Sequence, residues 1–417
     1  MTIILKKNHL FIQLKKNLIL ANLKMIIKEF EYLQYKDIND KNYIKPETFE
    51  ALEKFVLDNE TTQYLKITTK KGYGKVLQAQ KFVGVIQTKD GTTIEILPKV
   101  KNVDEQKSKD ILLKMLKTLK KSPFKNLNTA NLKTYKMPLL EIFITMFVEE
   151  LARLVQKGIK SDYITKEENL KFLKGKLKIN EQIKYNYIHK ERFFVQYQEF
   201  VSDRVENRLI KTTLQYLYKK SKLNKNQQRI REFLFVFDDV GISHNIKTDF
   251  EKIKLNRQMK DYELVLLWCK TFLLDNSFSP YKGNTIAFAL LFDMNLLFES
   301  YVGRYLKKKG FDVSLQDKGK YLVDSHQKFA LRPDIVINWK ESIIIVDTKW
   351  KNITEEKDIS QSDMYQLYAY GKKYKNNQLY LIYPRLDQKQ PKLKYTYCQE
   401  AQSKLNLRVV YFDLEKR

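Results

Sequence analysis

Cysteine and histidine are scarce in this sequence. The two cysteines, Cys269 and Cys398, lie in unrelated contexts, and the four histidines are scattered with no pair at metal-ligand spacing. A disulfide framework and a cysteine–histidine zinc site are therefore excluded. So little cysteine is typical of a reducing compartment, and we expect the protein to be cytoplasmic.

Long apolar runs and nucleotide-binding loops are also missing. Residues 137–148 come closest to a membrane span, but Glu141 interrupts them, so we expect a buried helix and no membrane segment. The glycine-containing stretch 72–75 has the wrong spacing for a phosphate-binding loop, and no Ser or Thr follows Lys75. Any nucleotide hydrolysis must therefore come from another polypeptide.

Positive charge is what the sequence has in excess. Lys and Arg outnumber Asp and Glu by 77 to 49, which gives a net charge of +28 over 417 residues. This excess predicts a polyanionic partner and association that weakens with salt. The alternative explanation of the positive charge is an AT-rich genome, which inflates the lysine content. Lysine is spread evenly along the chain, and an even spread is weaker evidence for a polyanionic partner than a local patch would be. A hydrophobic fraction of 43% supports real cores, and the length predicts two or three domains.

A β-hairpin is predicted near the carboxyl end of the chain. Residues 334–346 comprise two apolar, β-prone runs separated by the polar pair 340–341, and the second run is mainly β-branched, as in strands buried on both faces. A two-residue loop sets Asp334 opposite Asp347, roughly 4.5–5.5 Å away. Lys349 projects from the same strand face as Asp347. Two carboxylates and one ammonium are therefore expected to converge at the end of the hairpin.

Such a convergence suits the hydrolysis of a phosphodiester. Adjacent carboxylates raise each other's pKa unless a cation lies between them, and Mg²⁺ prefers one or two carboxylates together with waters and phosphate oxygens. A bound metal lowers the pKa of its water, and a lysine orients that water or stabilises the developing charge. The alternative is a turn-capping Asp334 beside a purely structural Asp347–Lys349 ion pair.

Several motifs resemble a known nuclease superfamily. Residues 332–334 (RPD) and 347–349 (DTK) resemble the PD-(D/E)xK signature, and residues 293–302 resemble the helix that supplies an extra acid in that superfamily. Gln366 and Tyr370 fit the Q-x-x-x-Y pattern of its RecB-like branch. The combination of LFESYV, LRPDIV, VDTKW and MYQLYAY resembles the McrC family, the nuclease subunits of modification-dependent McrBC restriction systems.

The candidate site residues follow from these motifs and their surroundings. A glutamate on a helix is usually solvated, but the apolar neighbours of Glu299 favour partial burial, and a buried carboxylate needs a partner. Gln366 and Tyr370 share a helix face, where they either contact DNA, order the lysine or simply pack in the core. The candidate catalytic residues are Glu299, Asp334, Asp347, Lys349, Gln366 and Tyr370. The candidate metal ligands are Glu299, Asp334, Asp347 and the carbonyl of Thr348, with Mg²⁺ expected and Mn²⁺ as a second candidate.

The predicted fold class is an α+β or α/β multidomain protein. Residues 1–24 are a candidate disordered extension, with ordered structure starting near Met25. Residues 25–275 are expected to form a β-rich and helical partner-docking region. The breaker-rich stretch 275–284 is the best boundary candidate. Residues 285–417 are expected to form a PD-(D/E)xK endonuclease domain with a mixed sheet flanked by helices.

Two regions before the boundary leave alternatives open. Helices are predicted over residues 107–120 and 138–157. They form either an extended projection or a plain helical layer over the β-hairpins of the N-terminal part of the chain. Residues 159–202 contain short β-prone runs with Lys, Arg and Tyr between apolar positions. These runs form either a phosphate-contacting surface or a solvated face.

The McrC resemblance spans most of the chain from about Met25 and implies a function. It implies a Mg²⁺-dependent endodeoxyribonuclease subunit of a 5-methylcytosine restriction system, acting on double-stranded foreign DNA. It also implies a McrB-like AAA+ GTPase hexamer as the partner, which the N-terminal part of the chain contacts and stimulates. Residues 1–24 have no counterpart in the family pattern. The alternatives are a non-catalytic docking and activating subunit, and a stand-alone RecB-like nuclease acting on DNA ends.

Overall fold

The computed structural model describes residues 24–59, 61–100, 103–120, 122–126, 137–253, 256–274, 286–340, 342–375, 378–385, 390–397 and 405–414. Two compact units make up the chain: one combines Met1–Leu139 with Asn276–Arg417, and the other is Leu140–Asp275. The predicted extension, apart from Lys24, and the boundary stretch 275–284 lie outside the described residues. No helix in the described ranges is long and apolar enough to cross a membrane.

The N-terminal segment of the first unit is β-rich, as predicted. Its strands are β1 (Lys24–Lys28), β2 (Tyr32–Leu33), β3 (Leu65–Lys70), β4 (Gly74–Ala79), β5 (Phe82–Thr88) and β6 (Thr93–Leu97), and its helices are α1 (Pro46–Asp58) and α2 (Glu105–Leu116). Pro46 occupies the first turn of α1, where its missing N–H costs nothing. Asp104 caps α2 by accepting a hydrogen bond from Lys107 N. The Asp-Gly turn between β5 and β6 forms a β-hairpin, with Gly91 at φ 85°.

The second unit is mainly helical. Its elements are α3 (Leu139–Gln156), β7 (Asp162–Leu170), β8 (Lys176–Leu177), α4 (Ile179–Asn186), β9 (Phe193–Val201), α5 (Val205–Lys220), α6 (Asn224–Val236), α7 (Ile246–Lys252) and α8 (Tyr262–Leu273). Strands β7, β9 and β8 form an antiparallel sheet in that order. The aromatic side chains of Phe143, Phe147, Trp268 and Phe272 pack together in the helical core.

The sequence-based view of residues 159–202 needs correction. Strand β7 is nine residues long, β8 is reduced to Lys176–Leu177, and a helix, α4, follows it. The helix was missed because its apolar residues Ile179 and Ile183 are exposed and do not mark a buried face. The two helices predicted as a pair, over 107–120 and 138–157, fall in different compact units except for Leu139.

The C-terminal segment returns to the first unit. Its elements are β10 (Ile286–Asp293), α9 (Met294–Lys308), β11 (Asp312–Leu315), β12 (Tyr321–Val323), β13 (Lys328–Ala330), β14 (Ile335–Trp339), β15 (Ser342–Thr348), α10 (Gln361–Lys373), β16 (Gln378–Pro384), β17 (Lys394–Thr396) and β18 (Asn406–Phe412). Asp293 caps α9 by accepting a hydrogen bond from Asn295 N. These elements combine strands and helices, as expected of a mixed sheet flanked by helices.

One sheet joins the two segments of the first unit. Its order is β1-β6-β5-β10, with β1 parallel to β6 and β10 antiparallel to β5. Gly84 lies where β5 and β10 approach closely, since a Cβ there would lie 2.0 Å from the carbonyl oxygen of Leu290. Strand β10 therefore belongs to the N-terminal sheet. In the sequence analysis it fell within the range 285–417, because the ranges 25–275 and 285–417 were separated at the breaker-rich stretch between them.

A second, six-stranded sheet carries the predicted hairpin. Its order is β11-β14-β15-β16-β18-β17, with parallel pairing of β15 to β16 and β16 to β18, and antiparallel pairing elsewhere. This is the mixed sheet predicted from the sequence. Helix α10 packs against β15 and β16, and its buried Leu367 and Tyr370 join a core with Leu379 and Leu381. Helix α9 packs against β15 and against α2.

Candidate active site

The hairpin of β14 and β15 has the predicted register. Trp339 pairs with Ser342, and the ladder continues to the pair Ile335 and Val346. Asp334 immediately precedes β14 and Asp347 immediately follows Val346, so the same register brings these two acids to one end of the hairpin. Burial of β15 is complete only from Ile345 to Thr348. The prediction of a strand buried on both faces is therefore right for its carboxyl half alone.

Asp347 is the most deeply buried acid of the site. Its side chain is fully buried, and its Oδ2 lies 2.9 Å from Lys349 Nζ. Its Oδ1 is also buried and accepts no hydrogen bond from the described residues. Burial raises the pKa of Asp347 to about 7, and the neighbouring Asp334 adds to the increase. A buried carboxylate oxygen with no donor requires a cation or an ordered water.

Asp334 is held in place by the strand opposite. The backbone N and the Oγ1 of Thr348 both donate to Asp334 Oδ2, each at 2.8 Å. Burial raises the pKa of Asp334, although these two hydrogen bonds oppose the increase. The hydroxyl of Thr348 is thus committed to Asp334. Of the groups on Thr348, its carbonyl is the one we predicted as a metal ligand.

Lys349 is the centre of a polar network at the same end of the hairpin as the two acids. Its Nζ lies 2.9 Å from Asp347, 3.7 Å from Asp363 Oδ1, and donates to Gln366 Oε1 at 3.3 Å. Burial lowers the pKa of Lys349, but the adjacent carboxylates, Asp347 first, outweigh it and raise that pKa. The amine is therefore positively charged at neutral pH.

Gln366 and Tyr370 extend this network back to the loop before Asp334. Gln366 Nε2 donates to Tyr370 OH at 2.7 Å, and that hydroxyl donates to the carbonyl of Arg332 at 3.1 Å. Tyr370 also packs in the sheet core. The two side chains thus connect Lys349 to the segment that carries Asp334.

Glu299 lies on α9 with only 6% of its surface exposed. Gln316 Nε2 donates to Glu299 Oε2 at 2.7 Å, and Gln316 N donates to the carbonyl of Asp334 at 2.9 Å. Burial raises the pKa of Glu299 to about 8, with a further contribution from the charge of Asp334. The burial predicted from its apolar neighbours is therefore present, and Gln316 is its partner.

Sequence reasoning missed several residues that contact this site. Asp363 precedes Gln366 by one helical turn on α10, so helical spacing could have found it. No local pattern points to Gln316. Glu29, at the end of β1, accepts a hydrogen bond from Trp350 Nε1 at 2.9 Å, and Asn295 Oδ1 accepts one from Trp350 N at 3.1 Å. Such long-range contacts leave no periodicity in the chain.

The donor set fits a hard divalent cation. Asp347 offers a buried carboxylate oxygen without a donor, and Asp334 lies beside it, which matches the preference of Mg²⁺ for one or two carboxylates. Within the described ranges, no three His, Cys, Asp or Glu side chains are arranged as a metal site. Asp334, Asp347 and Glu299 therefore do not form a three-acid cage, and a carbonyl such as that of Thr348, with water, must complete the ligand set.

Comparison with known proteins places the chain in a family. Residues 77–384 match the family model of the McrBC 5-methylcytosine restriction system component. The chain belongs to this McrBC family. The family resemblance inferred from the motifs is thereby confirmed. The McrBC-family chain is also 25% identical, over 277 residues, to the type IV methyl-directed restriction enzyme EcoKMcrBC of Escherichia coli K12. The matched region covers 60% of this chain and 78% of that protein.

Two solved structures share the fold of the McrBC-family chain. One is a chain of the half-complex from a tetradecameric assembly of Thermococcus gammatolerans McrB AAA+ hexamers with bound McrC, with a TM-score of 0.66, 20% identity and coverage of 94% of both chains. The other is a chain of the Thermococcus gammatolerans McrBC complex, with a TM-score of 0.52, 22% identity and coverage of 72% of this chain and 90% of that one. At these identities the likeness shows the fold.

Proposed function

We propose that this McrBC-family chain is the metal-dependent DNA endonuclease subunit of a 5-methylcytosine restriction system. The observation that carries the proposal is the meeting of Asp334, Asp347 and Lys349 at one end of a hairpin, with an Asp347 oxygen that lacks a donor. A structural ion pair with Lys349 engages only one of the two Asp347 oxygens, and a bound cation would satisfy the other. A PD-(D/E)xK nuclease site explains the orphaned oxygen, the two carboxylates and the amine together.

Each side chain has a defined part in the proposed reaction. Asp334, Asp347 and the carbonyl of Thr348 would hold Mg²⁺ or Mn²⁺, and Glu299 would contribute to the ligand set through a water molecule. When bound, the metal supplies Lewis acidity at the phosphate and lowers the pKa of the attacking water. Lys349 orients that water or neutralises charge that develops on the phosphate oxygens.

The network behind the lysine keeps it in position. Gln366 accepts from Lys349 Nζ, and the further hydrogen bonds through Tyr370 end on the Arg332 carbonyl. These bonds limit the lysine to few rotamers and so reduce the entropy lost when the substrate is bound. Gln366 and Tyr370 are therefore positioning residues.

We further propose a McrB-like AAA+ GTPase hexamer as the partner, with double-stranded DNA as the substrate and the bacterial or archaeal cytoplasm as the setting. These 417 residues contain no nucleotide-binding loop, and we therefore assign nucleotide hydrolysis to the AAA+ partner. Residues 162–201 of the second unit, which comprise β7, β8, α4, β9 and their connections, expose many large apolar side chains, which is typical of an interaction surface. They include Tyr163, Phe172, Leu173, Tyr187, Ile188 and Phe200.

A reconstituted cleavage assay tests the proposal. Plasmid carrying 5-methylcytosine is incubated with Mg²⁺, GTP, the proposed McrB-like AAA+ GTPase, and either the wild-type chain or its Asp347→Ala variant. We expect Asp347→Ala to lose cleavage by several orders of magnitude while still binding the motor. Asp324→Ala is the matched control, because that carboxylate also pairs with a lysine, Lys373, but is 83% exposed.

Two outcomes would favour other functions. Undiminished cutting by Asp347→Ala, with the motor still stimulated, would show that the fold is a docking and activating scaffold. Cutting of unmodified plasmid or DNA ends without any motor protein would show a stand-alone RecB-like nuclease. Cleavage that requires Asp347, the methylated base and the motor together supports the restriction subunit.

A further inference from the structure

A cleft of about 580 Å³ lies beside the candidate active site, within the first unit. Lys349 and Asp363 of the polar network line it, so it opens directly onto the site. Residues of the N-terminal segment form its other side, including Phe30, Lys81 and Phe82. A cleft of roughly 300–1,000 Å³ accommodates a ligand of small-molecule size, and a nucleotide unit falls in that range.

Phe30 has an unusual conformation at this cleft. Its side chain is 46% exposed, and its backbone adopts φ 63°, a region that bulky residues rarely occupy. Two hydrogen bonds fix the backbone there: Phe30 N donates to Ala79 O at 3.1 Å, and Gln78 Nε2 donates to Phe30 O at 3.0 Å. The strained backbone fixes the position of the ring, and because the ring lines the cleft and is exposed, it is available to a ligand there.

A further aromatic residue that lines the cleft, Trp350, is held in a fixed position. Trp350 is held by Glu29 through its indole N–H and by Asn295 through its backbone N–H. Its ring packs edge-on against Phe298, with the centroids 5.5 Å apart. The indole is therefore pre-positioned, and a planar group that enters the cleft meets it with little loss of side-chain entropy.

The charge of the cleft suits an anion. Three lysines line it, Lys81, Lys349 and Lys351, against one acid, Asp363, which already lies 3.7 Å from Lys349. Lys81 pairs with Asp293 at 2.9 Å, but 52% of its side chain remains exposed, so it can also contact a phosphate. Aromatic faces interleaved with cations are the features that bind nucleotides of an unpaired strand.

We propose that this cleft binds a nucleotide unit of the DNA strand next to the phosphodiester at Lys349. The base lies against Phe30 and Trp350, and the flanking phosphates contact Lys81 and Lys351. This inference rests on the proposed function, and it assigns a substrate subsite to residues outside the acid–lysine constellation. It also implies that the base next to the cleavage point is displaced from its stack.

Substitutions at Phe30 test the subsite in the full-length chain. Binding of a fluorescein-labelled 5-methylcytosine duplex is measured by anisotropy, with Ca²⁺ in place of Mg²⁺ to prevent cutting. We expect Phe30→Ala to bind about five- to 150-fold more weakly, the usual effect of losing one base–aromatic contact, and Phe30→Tyr to bind within about twofold of wild type. Phe30→Gly separates folding from binding, because glycine accepts the positive φ without strain and yet removes the ring.

Phe329 provides the matched control. It is also a phenylalanine at positive φ, 57°, and is 71% exposed, but it does not line the cleft. We expect Phe329→Ala to bind DNA as wild type does. Equal losses in Phe30→Ala and Phe329→Ala, or no loss in either, would overturn the subsite.

Photo-crosslinking locates the contact. A series of duplexes carries 5-iodo-deoxyuridine at successive positions along the strand. We expect the nucleotide next to the mapped cut to crosslink to the peptide that contains Phe30 or to the peptide that contains Trp350. The proposal is contradicted if no position crosslinks to either peptide. Asp347-dependent cutting with unchanged binding by Phe30→Ala would overturn the subsite alone. Asp347-independent cutting with weakened binding by Phe30→Ala would overturn the nuclease assignment and leave the cleft as a nucleic-acid site.

Discussion

Replacing Asp347 by asparagine should stabilise the metal-free fold while it abolishes cleavage. The Asp347 carboxylate is fully buried, and its Oδ1 has no donor among the described residues. Burial raises its pKa from 3.8 to about 7. A carboxyl group whose folded pKa lies above its unfolded pKa binds protons more tightly in the native state, so it costs stability as the pH rises from the lower value to the higher.

The size of the effect follows from this shift. A change from 3.8 to about 7 is roughly three pKa units, which at 1.36 kcal/mol per unit gives an upper limit of about 4 kcal/mol at pH 8. Asparagine removes that cost, in which the attraction of Lys349 is already included, but it buries an amide group instead. Lys349 keeps Asp363 and Gln366 as partners. We therefore expect a net gain of roughly 1–3 kcal/mol at pH 8 and almost none at pH 4.

Chemical denaturation in EDTA at both pH values measures the gain. Asp324→Asn is the control, because its carboxylate is largely exposed and should leave stability within about 0.5 kcal/mol of wild type. Mg²⁺ should stabilise wild type and not Asp347→Asn, because a ligand that binds only the native state adds to its stability. The reasoning is refuted if Asp347→Asn is less stable than wild type at pH 8, or if its gain is the same at pH 4.

Three further predictions concern other parts of the first unit. Glu299→Gln should retain the fold and lose about tenfold or more in plasmid cleavage, because the amide accepts the same hydrogen bond from Gln316 but cannot ionise when a metal ion binds nearby. Glu29→Gln should gain up to about 3 kcal/mol at pH 8 and little at pH 4 in denaturant titrations, since burial raises the pKa of Glu29 from 4.5 to about 7 and the amide still accepts from Trp350. Gly84→Ala should lower the free energy of unfolding by about 3 kcal/mol or more in the same titrations, because its Cβ would meet a backbone oxygen. Gly72→Ala is the control and should lower it by only about 1 kcal/mol, because the space around Gly72 is open.

The hairpin was predictable because its information is local. The polar pair 340–341 between two apolar runs fixes the loop length, and the loop length fixes which residues face each other. That alone brings Asp334 to Asp347 and places Lys349 on the same face. Burial of Glu299 was predictable for a similar reason, since its apolar neighbours on one helix indicate which face packs inward.

Contacts between distant segments were not predictable from one sequence. Glu29 and Trp350 are 321 residues apart, and neither has a local pattern that points to the other. The stretch 275–284 was identified as a boundary from its breakers, and the second compact unit ends at Asp275. Its composition could not show that the chain then returns to pair β10 with β5, because strand pairing depends on tertiary packing.

The sheet that joins β5 to β10 sets an order of events during translation. Every residue of β5 is buried in the finished protein, yet its neighbour β10 leaves the ribosome only after the whole of Leu140–Asp275 has been made. A nascent chain that ends before Ile286 therefore presents an open, apolar strand edge, which favours pairing with other chains. Truncated or slowly synthesised forms should consequently be aggregation-prone and depend on chaperones, even when the inserted helical unit is already folded.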